Sequence, residues 1–303
     1  MDLLIGFTTI LVVIGCGAAL AHVGVLDVTS QRTLGEIAFF VASPALMVVV
    51  ISETEIGGAV ANLAASATSL AVCFVAYAVI VRWRWRPDAG SLLIGSLASS
   101  YVNAGNLGIA VAAYVVGDTT VVVPTLLVQM MVVQPLALMV LDRVSGRESG
   151  PWSAFRRLTT NPLTIASVVG VVLAVTDWEL PRIVDSPLRL LAGLAIPAML
   201  ISYGAALRLS PWPGRAGHNA EVLVATVLKM VVMPMVAWGI GTALGLEGAV
   251  LLGVVITAGL PTAQNIFLHS TRYRTGEDVS RETILVTTLC SLPVALLIAV
   301  LLG

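Results

Sequence analysis

Apolar residues run along this chain in blocks longer than the core helices of a soluble domain, separated by short polar connections. Windows long enough to cross a bilayer as helices fall at roughly 3–25, 34–51, 58–81, 90–116, 120–141, 161–177, 187–207, 221–243, 247–269 and 281–302. Two of them are interrupted near the middle by small and amide residues. The fourth reads Asn103-Ala104-Gly105-Asn106-Leu107-Gly108, and the ninth reads Ala258-Gly259-Leu260-Pro261-Thr262-Ala263-Gln264-Asn265. A lone helix in lipid is penalised for such residues, because a backbone group released from the helix finds no water to bond. Paired interruptions in corresponding positions of two halves point instead to the binding site of a secondary transporter.

The halves echo one another in a second place. Gly105 and Gly259 stand 154 positions apart, and Pro44-Ala45-Leu46-Met47 precedes Pro197-Ala198-Met199-Leu200 by 153. These spacings predict an all-α polytopic membrane protein of ten transmembrane helices made by duplication. The first five-helix repeat covers 1–141, a cytoplasmic connecting loop covers 142–160, and the second repeat covers 161–303. Five spans are an odd number, so the second repeat is inverted relative to the first, and broken helices 4 and 9 cross near the midplane. Gly105, Gly108 and Gly259 are the expected hinges. Pro44 and Pro197 are read as bends in spans 2 and 7.

Composition agrees with the pattern. The chain is 58% hydrophobic and 11% charged, with mean hydropathy +0.98, whereas soluble domains carry about 25% charged residues. The run from Leu3 to Val25 follows Asp2 in place of a basic segment and is too long for a signal peptide, so it reads as the first span. Basic residues set the orientation. With the N-terminus outside, Arg32, Arg82, Arg84, Arg86, Arg143, Arg147, Arg156, Arg157, Arg208, Arg215, Arg272, Arg274 and Arg281 all fall in cytoplasmic loops. Only Arg182 and Arg189 lie outside, and Lys229 falls within a span. Both termini are therefore expected outside a cytoplasmic (inner) membrane. Cys16, Cys73 and Cys290 sit in apolar stretches without metal-ligand spacing and read as packing residues.

No zinc motif, phosphate loop or nucleophile with an adjacent base lies in the spans, so neither catalysis nor a cofactor or metal is expected. Asn103, Asn106, Gln264 and Asn265 instead offer uncharged donors and acceptors at the breaks. Half-helices restarting near Asn106 and Thr262 would present free N–H groups and a positive dipole end to a carboxylate. Polar residues that only bond helix to helix are the plainer alternative. Lys229 is the one cation at membrane depth, either a functional charge or a snorkelling one. Tyr203, just past Pro197, could bond a ligand through its hydroxyl. No carboxylate is evident at mid-span. The coupling ion, sodium or proton, stays open.

The stretch "YVNAGNLGIAVAAYVVG" (Tyr101–Gly117) resembles the fourth helix of the auxin efflux carrier family of bacterial and plant permeases. "AGLPTAQNIFLHSTRYRTGEDVSRETILVTTLCSLP" (Ala258–Pro293) resembles that family's last two helices, and "FFVASPALMVVV", "LAIPAMLISYGAALR" and "VLKMVVMP" match other landmarks in order. The resemblance implies a fold similar to bile-acid:sodium symporters, with a scaffold domain and a crossover transport domain. Its implied substrates are organic anions, such as auxins or malonate-like dicarboxylates. By matching position, Asn103, Asn106, Pro261 and Asn265 would belong to the crossover site. The implied partners are a small organic anion, the lipid bilayer and a second copy of the chain in a homodimer, with no nucleic acid. A sodium-coupled organic-anion symporter is the alternative within the class, and a non-transporting membrane sensor the alternative outside it. One departure stands out: Ala110 occupies the place where the family usually has proline. Alanine restores a backbone donor there, and makes the first break shallower or more easily remade.

Overall fold

Helix follows the apolar windows closely. The computed structural model describes residues 2–53, 59–146, 160, 162–176, 178–209 and 217–303. The helices are α1 (Asp2–His22), α2 (Val28–Ser52), α3 (Ala59–Arg84), α4 (Ala89–Ala98), α5 (104–116) and α6 (Thr119–Val144). Then come α7 (Pro162–Thr176), α8 (Arg182–Leu209), α9 (Asn219–Ala243), α10 (Gly248–Ala258), α11 (Asn265–Tyr273) and α12 (Glu277–Leu302). Among the described residues α2, α3, α6, α8, α9 and α12 are long and apolar enough to cross a membrane, and there is no strand. The fourth and ninth windows each hold two helical pieces. Of the predicted connecting loop, 142–144 continue α6, and 147–159 lie outside the described residues.

Carboxylates start several of these helices. Asp27, Asp88 and Asp118 stand just before α2, α4 and α6 and accept the backbone N–H of Ser30, Ser91 and Thr120 at 2.7, 2.9 and 2.8 Å. Each thereby satisfies a donor that the first helical turn leaves free. Prolines shape the interiors. Pro44, Pro135 and Pro234 each follow a wider π-turn, at Ala38–Ala42, Val128–Val133 and Leu228–Val232. A proline cannot donate to the preceding turn and its ring pushes that carbonyl away, so an extra residue is accommodated upstream. Pro197 lies inside the continuous helix α8. Hence the two prolines of the sequence repeat differ in local structure.

The chain folds as two compact units, each drawing on both sequential halves. The first contains α1, α2, residues 105–123, α7 and α8. Its α2 and α8 meet through Ala38, Ala42, Ala195, Ala198 and Met199. In the same unit α1 and α8 approach backbone to backbone. A Cβ on Gly17 would collide with the Ile201 carbonyl, and one on Gly204 with the Ile14 carbonyl. Glycine is what permits such an approach between membrane helices. Gln31 Nε2 donates to Ser202 Oγ at 3.0 Å, and that hydroxyl donates back to the Gln31 carbonyl at 3.1 Å.

The second unit contains α3, α4, residues 99–104, α6 from Pro124 onward, and α9 to α12. Its apolar core includes Ile94, Leu97, Ala98, Tyr101, Leu141, Ala263 and Ile266. That core touches residues of both interrupted segments, so the breaks are packed in protein.

Candidate functional site

The first break begins earlier than the glycines suggest. Helix α4 stops at Ala98, where Ser99 and Ser100 turn their hydroxyls back to the Ser96 carbonyl at 2.8 and 2.7 Å. Such local bonds offer serine an alternative to continued helix. The second break follows from Pro261, which has no N–H and biases Leu260 away from helix. Helix resumes at Ala104 and at Asn265, two residues before Asn106 and three after Thr262, the starts expected from the sequence. The helix ends Ala98 and Ala258 are 160 positions apart, so the 154-residue glycine spacing does not mark equivalent points.

Each break supplies the partners that the other lacks. Val102 and Thr262 form an isolated antiparallel bridge. The Asn103 N–H donates to the Pro261 carbonyl at 2.9 Å, and the Ala263 N–H donates to the Tyr101 carbonyl at 3.1 Å. Side chains complete the set. Gln129 Oε1 accepts the Val102 N–H at 2.5 Å, and Thr287 Oγ1 accepts the Thr262 N–H at 3.1 Å. Thr262 Oγ1 donates to the Ala98 carbonyl at 2.5 Å, and Lys229 Nζ donates to the Ala258 carbonyl at 2.6 Å. Irregular backbone at membrane depth is tolerated on this condition, that protein satisfies it.

Unsatisfied buried side-chain atoms occur on Thr226, His269, Glu282 and Thr283 as well as on amides at the breaks. Among the described residues, Asn103 Nδ2, Gln129 Nε2 and Asn265 Oδ1 are buried without a hydrogen-bond partner. Tyr101 donates its hydroxyl to Gln134 Oε1 at 3.1 Å and stands beside the Asn265 side chain. A buried unpaired amide costs about 1–3 kcal/mol, a cost that a ligand completing the bond would remove. Two unpaired amide N–H groups suit an oxygen-rich anion. The Asn103 and Thr262 side chains are sealed from the surface, at 3% and 0% exposure. Two open clefts of about 740 and 760 Å³, which share Asp88, Ser91 and Thr275, contain none of the predicted site residues.

Asn103, Pro261, Thr262, Asn265 and Lys229 thus come together in the second unit, with Gln264 half-buried as the residue that starts α11. Tyr203, Pro44, Pro197, Gly105 and Gly108 belong to the first unit, and the side chain of Asn106 lies outside the described residues. Gln129 was not foreseen. It sits in a π-turn six residues before Pro135, as Lys229 sits in one five residues before Pro234. A polar residue shortly upstream of an intra-span proline is the signal that would have found it. Carboxylates are also buried. Asp142, read from sequence as loop, is 1% exposed and accepts the Tyr273 hydroxyl at 2.6 Å, and Glu282 is 3% exposed.

Known proteins share this sequence pattern. The profile of the family described as "Membrane transport protein" matches residues 4–299. A putative malonate transporter of Rhizobium meliloti (strain 1021) is 27% identical over 265 residues, covering 83% of this chain and 81% of that protein. Auxin efflux carrier component 1 of Arabidopsis thaliana is 26% identical over 153 residues, 49% of this chain. Auxin efflux carrier component 3a of Oryza sativa subsp. japonica is 27% identical over the same length. The matches span only about a quarter of those two plant proteins, 24% and 25%.

Proposed function

The chain belongs to the auxin efflux carrier family of membrane transport proteins, and from that premise we propose that it carries small carboxylates across the cytoplasmic membrane by alternating access. It is a transport protein and not an enzyme. The observation that carries the substrate reading is the pair of unpaired buried amide donors at the first break, Asn103 Nδ2 and Gln129 Nε2. A carboxylate accepts from amide N–H groups through two oxygens, and Thr262 and Gln264 border the same segments. On this reading the protein has ten spans in two inverted repeats, both termini outside, helices 4 and 9 crossing, and a homodimeric assembly. Malonate-like dicarboxylates are the first class to try, because a relative matching 83% of this chain is named a putative malonate transporter.

The test is uptake and counterflow of labelled malonate in proteoliposomes, beside a monocarboxylate such as indole-3-acetate. Asn103→Ala and Asn265→Ala should each lower apparent affinity about tenfold or more, the loss of one buried polar contact. Unchanged flux and affinity in both variants would remove the site assignment. Ligand binding without counterflow would replace transport by sensing.

A further inference from the structure

Lys229 was expected to be either a functional charge or a snorkelling one, and its geometry adds a partner that neither reading named. It is 0% exposed, and its Nζ donates to the Ala258 carbonyl at 2.6 Å. Ala258 is the last residue of α10, so that carbonyl belongs to the negative end of a half-helix stopped inside the membrane. Among the described residues Lys229 forms no ion pair, and the one titratable group acting on it is the Cys73 thiol. That thiol is itself turned to the Leu228 carbonyl at 3.3 Å. A buried ammonium needs compensation. Here it comes from a helix end and not from a carboxylate.

In broken-helix carriers, half-helix carboxyl ends and unwound carbonyls are where a coupling cation is coordinated. Neither end in this protein has its last carbonyl open: Lys229 holds that of α10, and the Thr262 hydroxyl holds that of α4. A sodium ion does not fit where an ammonium already donates to the carbonyl it would use. We propose that Lys229 is a built-in cation that holds the carboxyl end of α10 in place of a bound monovalent cation, which makes the carrier independent of sodium. Lys229 is then a positioning residue: it fixes Ala258 and so the approach of Pro261 and Thr262 to the first break. This builds on the transport reading for its consequence, but its physical core can be measured without substrate.

Purified protein in detergent is melted in sodium chloride, in choline chloride, and in choline chloride with n-butylammonium or n-butanol added. Wild type melts at one temperature in all four. Lys229→Ala in choline chloride melts about 5 °C lower, as expected for an exposed helix end with a lost charged hydrogen bond. Sodium or n-butylammonium recovers more than half of that loss, whereas n-butanol, of similar size but uncharged, does not. Lys229→Arg melts near wild type. Lys229→Met, with the space filled, is not rescued by either cation. The proposal is overturned if sodium stabilises wild type, if n-butanol rescues as well as the amine, or if Lys229→Ala and Lys229→Met both melt like wild type. Should Lys229→Ala fail to accumulate, Lys229→Gln takes its place and must gain sodium-dependent stability. Malonate uptake by wild type, measured with sodium gradients abolished at fixed voltage, should be unchanged. Absence of any malonate flux counts against the transport reading, and the melting data alone decide the role of Lys229.

Discussion

At the first break α4 stops at Ala98, and its last carbonyl is held by the neutral hydroxyl of Thr262; at the second, α10 stops at Ala258, and its carbonyl is held by Lys229. The interruptions are similar in length, Ser99–Asn103 against Gly259–Gln264, but the chain resumes differently. After the first it re-enters helix through a π-turn at Ala104–Gly108, and after the second through the α-helix Asn265–Tyr273. Proline explains part of the contrast. Pro261 keeps the second break open by lacking a donor, whereas the first contains no proline, turns its Val102 and Asn103 N–H groups to Gln129 and Pro261, and has Ala110, not proline, in the resumed helix. Two breaks that satisfy each other's backbone therefore need not be copies. The pairing is shared, and what neutralises each helix end is local.

The strongest perturbation of this contrast is Gln129→Leu, which leaves the Val102 N–H buried and unbonded, at a cost of about 2 kcal/mol. Thr262→Val leaves the Ala98 carbonyl short of one donor and should cost less, about 1 kcal/mol, because an under-satisfied carbonyl is the better tolerated. Urea unfolding monitored by tryptophan fluorescence ranks the two, and a reversed order would shift the weight to the second break.

The smallest effect lies at the other end of α4. Burial would raise the Asp88 carboxyl, but hydrogen bonds from Ser91, Thr275 and Gly90 outweigh it and hold the group below the usual carboxylate value of 3.8. A depressed folded-state pKa contributes stability that is fully present above that value and is lost as pH falls through the lower one. Melting temperature followed below pH 4 should therefore fall, and Asp88→Asn should flatten that limb. An identical slope in both proteins would remove Asp88 as its source.

The windows and the existence of two breaks were legible because lipid punishes amides, glycine and proline in a span, so their presence carries information. The limits of the breaks were less so. Ser99 and Ser100 look ordinary in a small-residue run, and the partners that take over the backbone beyond them, Gln129 for Val102 and Pro261 for Asn103, lie far off in sequence. The interleaving of the two units was not visible either, since contacts between distant windows leave no mark on apolar periodicity. Asp142 was misplaced for a similar reason: a carboxylate beside basic residues reads as loop unless the Tyr273 hydroxyl across the unit is known. The depth of Lys229 was legible in sequence, but nothing there could say that its partner is a carbonyl.

The pairing of the two breaks can be tested by cross-linking. Val102 and Thr262 face each other as a non-hydrogen-bonded antiparallel pair, which brings Cα atoms to about 4.5 Å and suits a disulfide. In a background with Cys16, Cys73 and Cys290 replaced by alanine, Val102→Cys with Thr262→Cys should cross-link nearly completely under mild oxidation. Val102→Cys with Gln264→Cys should not. Absence of the first cross-link in folded protein, or equal yield from both pairs, would contradict the paired breaks on which the site rests.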